Sequence, residues 1–367
     1  MSGTADPPLG HAPPAASALD FETVDDATLL ANFLPPRPDA PCSFRVWHRL
    51  FEGAPALQFV NPQLMPVPGP PSPGVSSGPP PPPPGQPGRP RAVLRGASFA
   101  TEDDEPDEPG PPGPRQGHLG SSSNWSGAAL RPNGGERFRQ VSAQWTTPSV
   151  MPGQRNGPWV CSTWIGLGGL MGWMSSMPQM GTTQVSRQQP EPLPCYAWVQ
   201  WWLSDREVQA PQRIAGIPLD FGNGVMCYVA LHQPGPDPDS QRAIFTLRKA
   251  GTPLITSFAL QAPLHNRKRW PTGGESAEWI LERPKALFDD GDVKEKKLYW
   301  LPSFGSFVFE DVSSEAAPPG GQGCTQRLLV SPRLIRMKRR RPRQNRTEYL
   351  TTVRAETATR LVIKNIG

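Results

Sequence analysis

The chain predicts an all-β fold, a sandwich or barrel, behind a long proline-rich segment. Three observations predict it. From Ser121 onward, short apolar runs are separated by Gly, Pro and Asn clusters, and no long stretch keeps a helical period. Ala197-Trp198-Val199-Gln200-Trp201-Trp202-Leu203 and the run around Glu278 alternate with period two. Of the 50 prolines, 28 precede Gly117, and so dense a loss of backbone donors supports neither helix nor sheet.

The front of the chain divides by composition. Residues 1–16 are small and proline-rich and are expected to lack order. Asp20 to Leu34 predicts a short helix with Phe21, Leu29, Leu30 and Phe33 on a rough apolar side, stopped by Pro35-Pro36. Phe44 to Met65 is apolar enough to dock on another surface, such as the folded domain. Pro66 to Pro90 reads as extended polyproline, with Pro79 to Pro84 unbroken. The acidic patch Glu102 to Glu108 and a Pro/Gly linker complete a segment, 1–117, expected to be largely disordered. A folded unit over 118–367 is expected to follow.

Within that unit the predicted strands are 125–130, 138–146, 159–166, 194–203, 224–231, 243–249, 253–260, 276–282, 297–300 and 305–311. Further strands are predicted at 327–330, 333–339, 347–355 and 359–365. Alternation sorts their faces. Ala277, Trp279 and Leu281 share a core face, and Glu278, Ile280 and Glu282 point the other way. Ala197, Val199, Trp201 and Leu203 form a second apolar set, opposite Tyr196, Trp198, Gln200 and Trp202. An outward face that is this aromatic predicts either a binding cleft or a face covered by the N-terminal segment or a partner. Glu282 is expected to be solvated.

Charge is segregated. Residues 1–117 carry a net −6 and the remainder +11 within the overall +5. Much of the excess is one cluster, Lys338 to Arg341 with Arg343 and Arg346, read as an exposed basic turn rather than a nucleic-acid site. Five scattered cysteines make no disulfide framework, and without a Cys-x-x-Cys pair no zinc site is expected. No secretory signal or membrane-spanning run is read in the sequence. Gly-x-Ser-x-Gly is absent, and Gly166 to Gly169 lacks the Lys-Ser/Thr of a phosphate loop.

What remains is a glutamine and a glutamate among ordered motifs. These are Asn124-Trp125-Ser126-Gly127-Ala128, Trp164-Ile165-Gly166-Leu167-Gly168-Gly169 and Pro178-Gln179-Met180-Gly181, followed by Tyr196-Ala197-Trp198-Val199-Gln200-Trp201 and Ala277-Glu278-Trp279-Ile280. Phe304-Gly305-Ser306-Phe307-Val308-Phe309 follows them. In that order they resemble the eqolisins, the glutamic endopeptidases, over about Ser121 to Gly367. The resemblance implies an antiparallel β-sandwich of two large sheets with a concave cleft face. It implies an acid-acting endopeptidase in which Gln179 and Glu278 form the catalytic dyad.

In those roles Glu278 takes a proton from the attacking water and returns it to the leaving amine, while the Gln179 amide donates to the oxyanion. Trp125 and Trp164 match tryptophans that flank the dyad. With Gly168, Tyr196, Trp198, Gln200 and Trp202 they are the expected substrate-binding residues. The chain departs from the family where Gly168 replaces an aspartate, and where Tyr196 and Gln200 replace acidic residues. The expected partner is a protein or peptide substrate, with no cofactor, metal, nucleic acid or membrane, and the chain is expected to be a monomer. The resemblance suggests a secreted protein and a propeptide or linker role for 1–117. The competing expectation is a non-catalytic sandwich that binds peptide or carbohydrate on its aromatic face.

Overall fold

The computed structural model describes residues 8–54, 56–67, 118–153, 158–170, 176–186, 193–203, 210–285, 298–318, 324–341 and 346–367. Among the described residues, two ten-stranded sheets, mostly antiparallel, face each other. The front sheet carries six strands named here: β1 (Trp125–Leu130), β2 (Trp159–Leu167), β3 (Ser176–Ser186), β4 (Cys195–Leu203), β5 (Ala277–Glu282) and β6 (Arg333–Arg341). Their order across the sheet is β6-β1-β5-β2-β3-β4, extended beyond β4 by Gln212–Ile214 and Leu64–Pro66. The back sheet centres on Arg137–Thr146, between Gly224–His232 and Ser306–Ala317.

The core lies between the sheets, as the alternation predicts. Ala277, Trp279 and Leu281 of β5 and Ala197, Val199 and Trp201 of β4 meet Val141, Ala143, Trp145 and Phe245 of the back sheet. Buried indoles need a partner for their N–H, and two find it across the core. Trp279 Nε1 donates to the Ser142 carbonyl at 3.0 Å, and Trp145 Nε1 to the Thr182 hydroxyl at 3.1 Å. These bonds fix the register of one sheet against the other.

Strand β3 is missing from the predicted strands. Pro178, Gly181 and the polar Thr182-Thr183-Gln184 give no apolar–polar alternation, although β3, like β4 and β5, is almost wholly buried. The predicted strand 347–355 is two strands, Arg346–Tyr349 in the front sheet and Thr351–Thr357 in the back. The chain changes sheet at Leu350, whose N–H donates to the Met337 carbonyl at 2.8 Å. Residues 328–330 are not in a strand; only Thr325–Arg327 pairs there. Of 297–300, Leu298 and Trp300 form isolated bridges, and residue 297 lies outside the described residues.

The expectation of disorder in 1–117 is corrected for residues 8–54 and 56–67; residues 1–7, 55 and 68–117 lie outside the described residues, and with them the polyproline tract from Pro68 on. Helices α1 (Asp26–Ala31) and α2 (Pro41–Phe51) form an arm on the outer face of the back sheet. Asp25 caps α1 by accepting from the Thr28 N–H at 2.7 Å. Phe21, Leu29, Leu34, Trp47, Leu50 and Phe51 pack with Tyr228, Ala230 and Ile255. The back sheet also holds both ends of α2. Glu315 accepts from the Ala40 N–H at 2.9 Å, and Arg248 Nη1 donates to the carbonyls of Arg49, Leu50 and Glu52. The docking predicted for 44–65 is thus observed on the sandwich itself. Proline density misleads here because aromatic burial orders the arm, with short backbone pairings at 10–11 and 58–59 to the strand Leu254–Gln261.

Candidate active site

One row of residues crosses the front sheet in register. Glu278 of β5 pairs with Gly166 of β2, Gly166 with Gln179 of β3, and Gln179 with Gln200 of β4. Paired residues place their side chains on the same face, so the row points away from the core. Glu278 and Gln179 are two inter-strand spacings apart, about 10 Å between Cα atoms. Gly166 between them has no side chain; a Cβ there would lie 3.1 Å from Gln179 Cβ and 3.2 Å from the Pro178 carbonyl oxygen. No side chain therefore stands between those of Glu278 and Gln179 in the row.

The neighbouring rows supply aromatic walls. Ile280, Trp164, Gly181 and Trp198 form the next row, and Trp125, Glu282, Ser162, Thr183 and Tyr196 the one beyond. Gly181 makes room for Trp164, since a Cβ there would sit 2.6 Å from Trp164 Cβ. The Trp125 and Trp164 rings meet edge to face at 4.9 Å. Trp202 pairs with Met177 on the other side of the dyad row. All the expected site residues on β1 to β5 therefore share one face. They are buried rather than solvent-facing, in a cluster that Val67 and Leu193 also contact.

Glu278 is fully buried at 0% exposure and Gln179 nearly so at 3%. Glu278 Oε1 accepts from the Gly169 N–H at 2.9 Å. Gln179 Nε2 donates to Gln200 Oε1 at 2.9 Å. That leaves Glu278 Oε2 and Gln179 Oε1 buried without a hydrogen-bond partner among the described residues. Burial without full pairing disfavours the charged form of an acid. Desolvation, with a smaller push from Glu275, raises the Glu278 carboxyl to about 8, against the opposing hydrogen bonds of Ser276 and Gly169.

Glu282 corrects an expectation. It is buried, not solvated, and accepts from Trp164 Nε1 at 2.8 Å and Asn124 Nδ2 at 3.3 Å. Burial raises it to about 7 despite those bonds. It holds the Trp164 indole over the site. Sequence reasoning also passed over Gly169, Ser276 and Glu275; the Gly168-Gly169 pair was the available signal, since such a turn exposes an N–H to an anion. Gly168 itself adopts φ +88°, and a Cβ on it would lie 2.2 Å from Thr272 Oγ1. Backbone and space both require glycine there.

Residues 123–339 match the Peptidase A4 family, and the chain belongs to that family of peptidases, the eqolisins. Scytalido-glutamic peptidase, solved with a transition-state analog inhibitor, is 18% identical with a TM-score of 0.47, covering 66% of this chain and 98% of that one. An eqolisin solved with the tripeptide Ala-Ile-His gives 18%, 0.46, 66% and 98%. Aspergilloglutamic peptidase from Aspergillus niger gives 16%, 0.38, 57% and 99%. No curated protein matches the chain.

Proposed function

We propose that the chain is a glutamic endopeptidase that hydrolyses peptide bonds with Gln179 and Glu278 and an activated water. The observation that carries this reading is the shared row, with Gly166 open between a buried carboxyl and a buried amide. Ionised Glu278 takes a proton from water as its oxygen attacks the scissile carbonyl. The Gln179 amide has two N–H groups; one serves Gln200, and the other donates to the oxyanion. Protonated Glu278 then gives its proton to the leaving nitrogen as the C–N bond breaks. Gln200 fixes the amide by accepting from it, a role a neutral side chain fills at any pH. Trp125, Trp164, Tyr196, Trp198 and Trp202 line the face along which the peptide lies, and the catalytic unit is residues 118–367.

The base must be ionised, so activity rises with pH toward the Glu278 value of about 8. An optimum in the acid range, which the resemblance implies, is the other outcome that the same pH profile reads. The test is hydrolysis of denatured casein from pH 3 to 9 by wild type, Glu278→Gln and Gln179→Ala. Loss of about 10²–10⁴-fold in each variant supports the reading. The full burial of Glu278 favours one alternative, a binding module that holds peptide without cleaving it. Binding with no cleavage across that pH range selects the alternative.

A further inference from the structure

Resting on the glutamic-peptidase reading, we propose that Arg213 determines specificity at one end of the aromatic face. Its guanidinium takes a carboxylate of the peptide substrate three or four residues from the bond that is cut. Register places it there. Arg213 lies on Gln212–Ile214, the strand beyond β4, and pairs with Trp198. Its neighbours Gln212 and Ile214 pair with Val199 and Ala197, which belong to the core between the sheets. Arg213 therefore shares the opposite face with Trp198 and the dyad row. Tyr196 and Gln200, two residues to either side of Trp198 on β4, stand on that face too. On its other side Arg213 pairs with Met65, which is exposed at the rim.

The fold does not satisfy this guanidinium. Nη2 donates to Met65 Sδ at 3.2 Å, and a thioether is a weak, uncharged acceptor. Nε is buried without a hydrogen-bond partner, and no carboxylate among the described residues pairs with Arg213. Glu278 and Glu282, the carboxyls on the same face, are turned to Gly169, Trp164 and Asn124. A part-buried cation without an acceptor is costly, and the planar fork of an arginine matches a carboxylate through two parallel hydrogen bonds. Distance sets where that carboxylate lies in the substrate. From Gln179 through Gln200 and Trp198 to Arg213 the path crosses two strand spacings, about 10 Å, and shifts two residues along a strand, about 7 Å. The separation is about 12 Å between Cα atoms, and an extended peptide advances about 3.4 Å per residue. A peptide running from the dyad over Trp198 thus brings its third or fourth residue to Arg213.

The test is kcat/KM of the full chain on pairs of peptides that differ by Glu against Gln at the third or fourth residue on either side of the cut bond. One set is amidated at the C-terminus and a second set is left as free acids. Wild type should favour Glu over Gln at one of these positions by about tenfold or more, as a charge-assisted hydrogen-bonded pair requires. Arg213→Gln should bring that ratio to about one, and Arg213→Glu should favour Lys over Gln at the same position. Each ratio is taken on one preparation, so partial unfolding of a variant does not mimic the change. A preference confined to the free acids supports Arg213 with the chain terminus as the source of the carboxylate. A wild-type ratio within about twofold of one in both sets, or a ratio that Arg213→Gln leaves unchanged, would overturn the role of Arg213. The same peptides titrated by fluorescence anisotropy against Glu278→Gln, with and without Arg213→Gln, read the ratio as Kd. A chain that binds but does not cleave thus overturns the peptidase reading, while the ratio of Kd values still decides for Arg213.

Discussion

Glu278 and Gln179 stand in one cross-strand row of the front sheet with only Gly166 between them. The relationship depends on the absence of a side chain. Adding a methyl at Gly166 forces contact with Gln179 Cβ and the Pro178 carbonyl. Gly166→Ala should keep its β-sheet circular dichroism and lose about 10²-fold in kcat/KM, the cost of a misplacement near 1 Å. Steady-state kinetics on a peptide substrate checks it.

The burial of Glu278 makes stability depend on pH in a stated direction. In the unfolded chain the carboxyl releases its proton around its ordinary 4.5, and in the folded chain only around 8. Between these values the native state binds more protons, so stability falls as pH rises from 4.5 to 8. Glu282 adds a fall of the same sign up to about 7. Glu278→Gln removes the larger contribution. Its Tm should exceed that of wild type at pH 8 by more than at pH 4, measured by calorimetry.

Glu282 works through Trp164. Glu282→Ala leaves the Trp164 and Asn124 N–H groups buried without this acceptor, at a cost of about 1–3 kcal/mol for each unsatisfied group. Glu282→Gln keeps an acceptor oxygen and should recover much of that loss. Chemical denaturation of the two variants checks the order.

The arm is part of the folded unit. Trp47 is fully buried against the back sheet, and its indole N–H donates to the Pro35 carbonyl at 3.1 Å. Trp47→Ala should destabilise the chain by about 3–5 kcal/mol. Arg248→Ala, which uncaps the C-terminus of α2, should raise hydrogen exchange in 41–51 while leaving the core strands protected.

Much of this was legible in the sequence, for identifiable reasons. The faces of β4 and β5 follow from period-two alternation, because each face of those strands has its own chemical character. Gln179 and Glu278 were legible only as members of an ordered set of motifs, since neither residue type is distinctive alone. Strand β3 was not legible, because its proline, its glycine and its Thr182-Thr183-Gln184 run leave neither face with a chemical character of its own. The arm was legible in part: a helix within 20–34 and docking of 44–65 were expected and are observed, whereas α2 was masked by Pro35, Pro36 and Pro41, and its order comes from aromatic side chains meeting Tyr228 and Ile255 on a sheet far along the chain. Glu282 was misread because a strand glutamate reveals nothing of a tryptophan N–H that lies on the neighbouring strand but 118 residues earlier in the chain.

The central claim is that Glu278 is the catalytic carboxyl. The direct measurement is kcat/KM of wild type and Glu278→Gln on one peptide substrate at pH 7–8, at equal concentrations of folded protein. The account predicts a loss of at least about 10²-fold with the fold retained. A variant that stays within about threefold of wild type would contradict it.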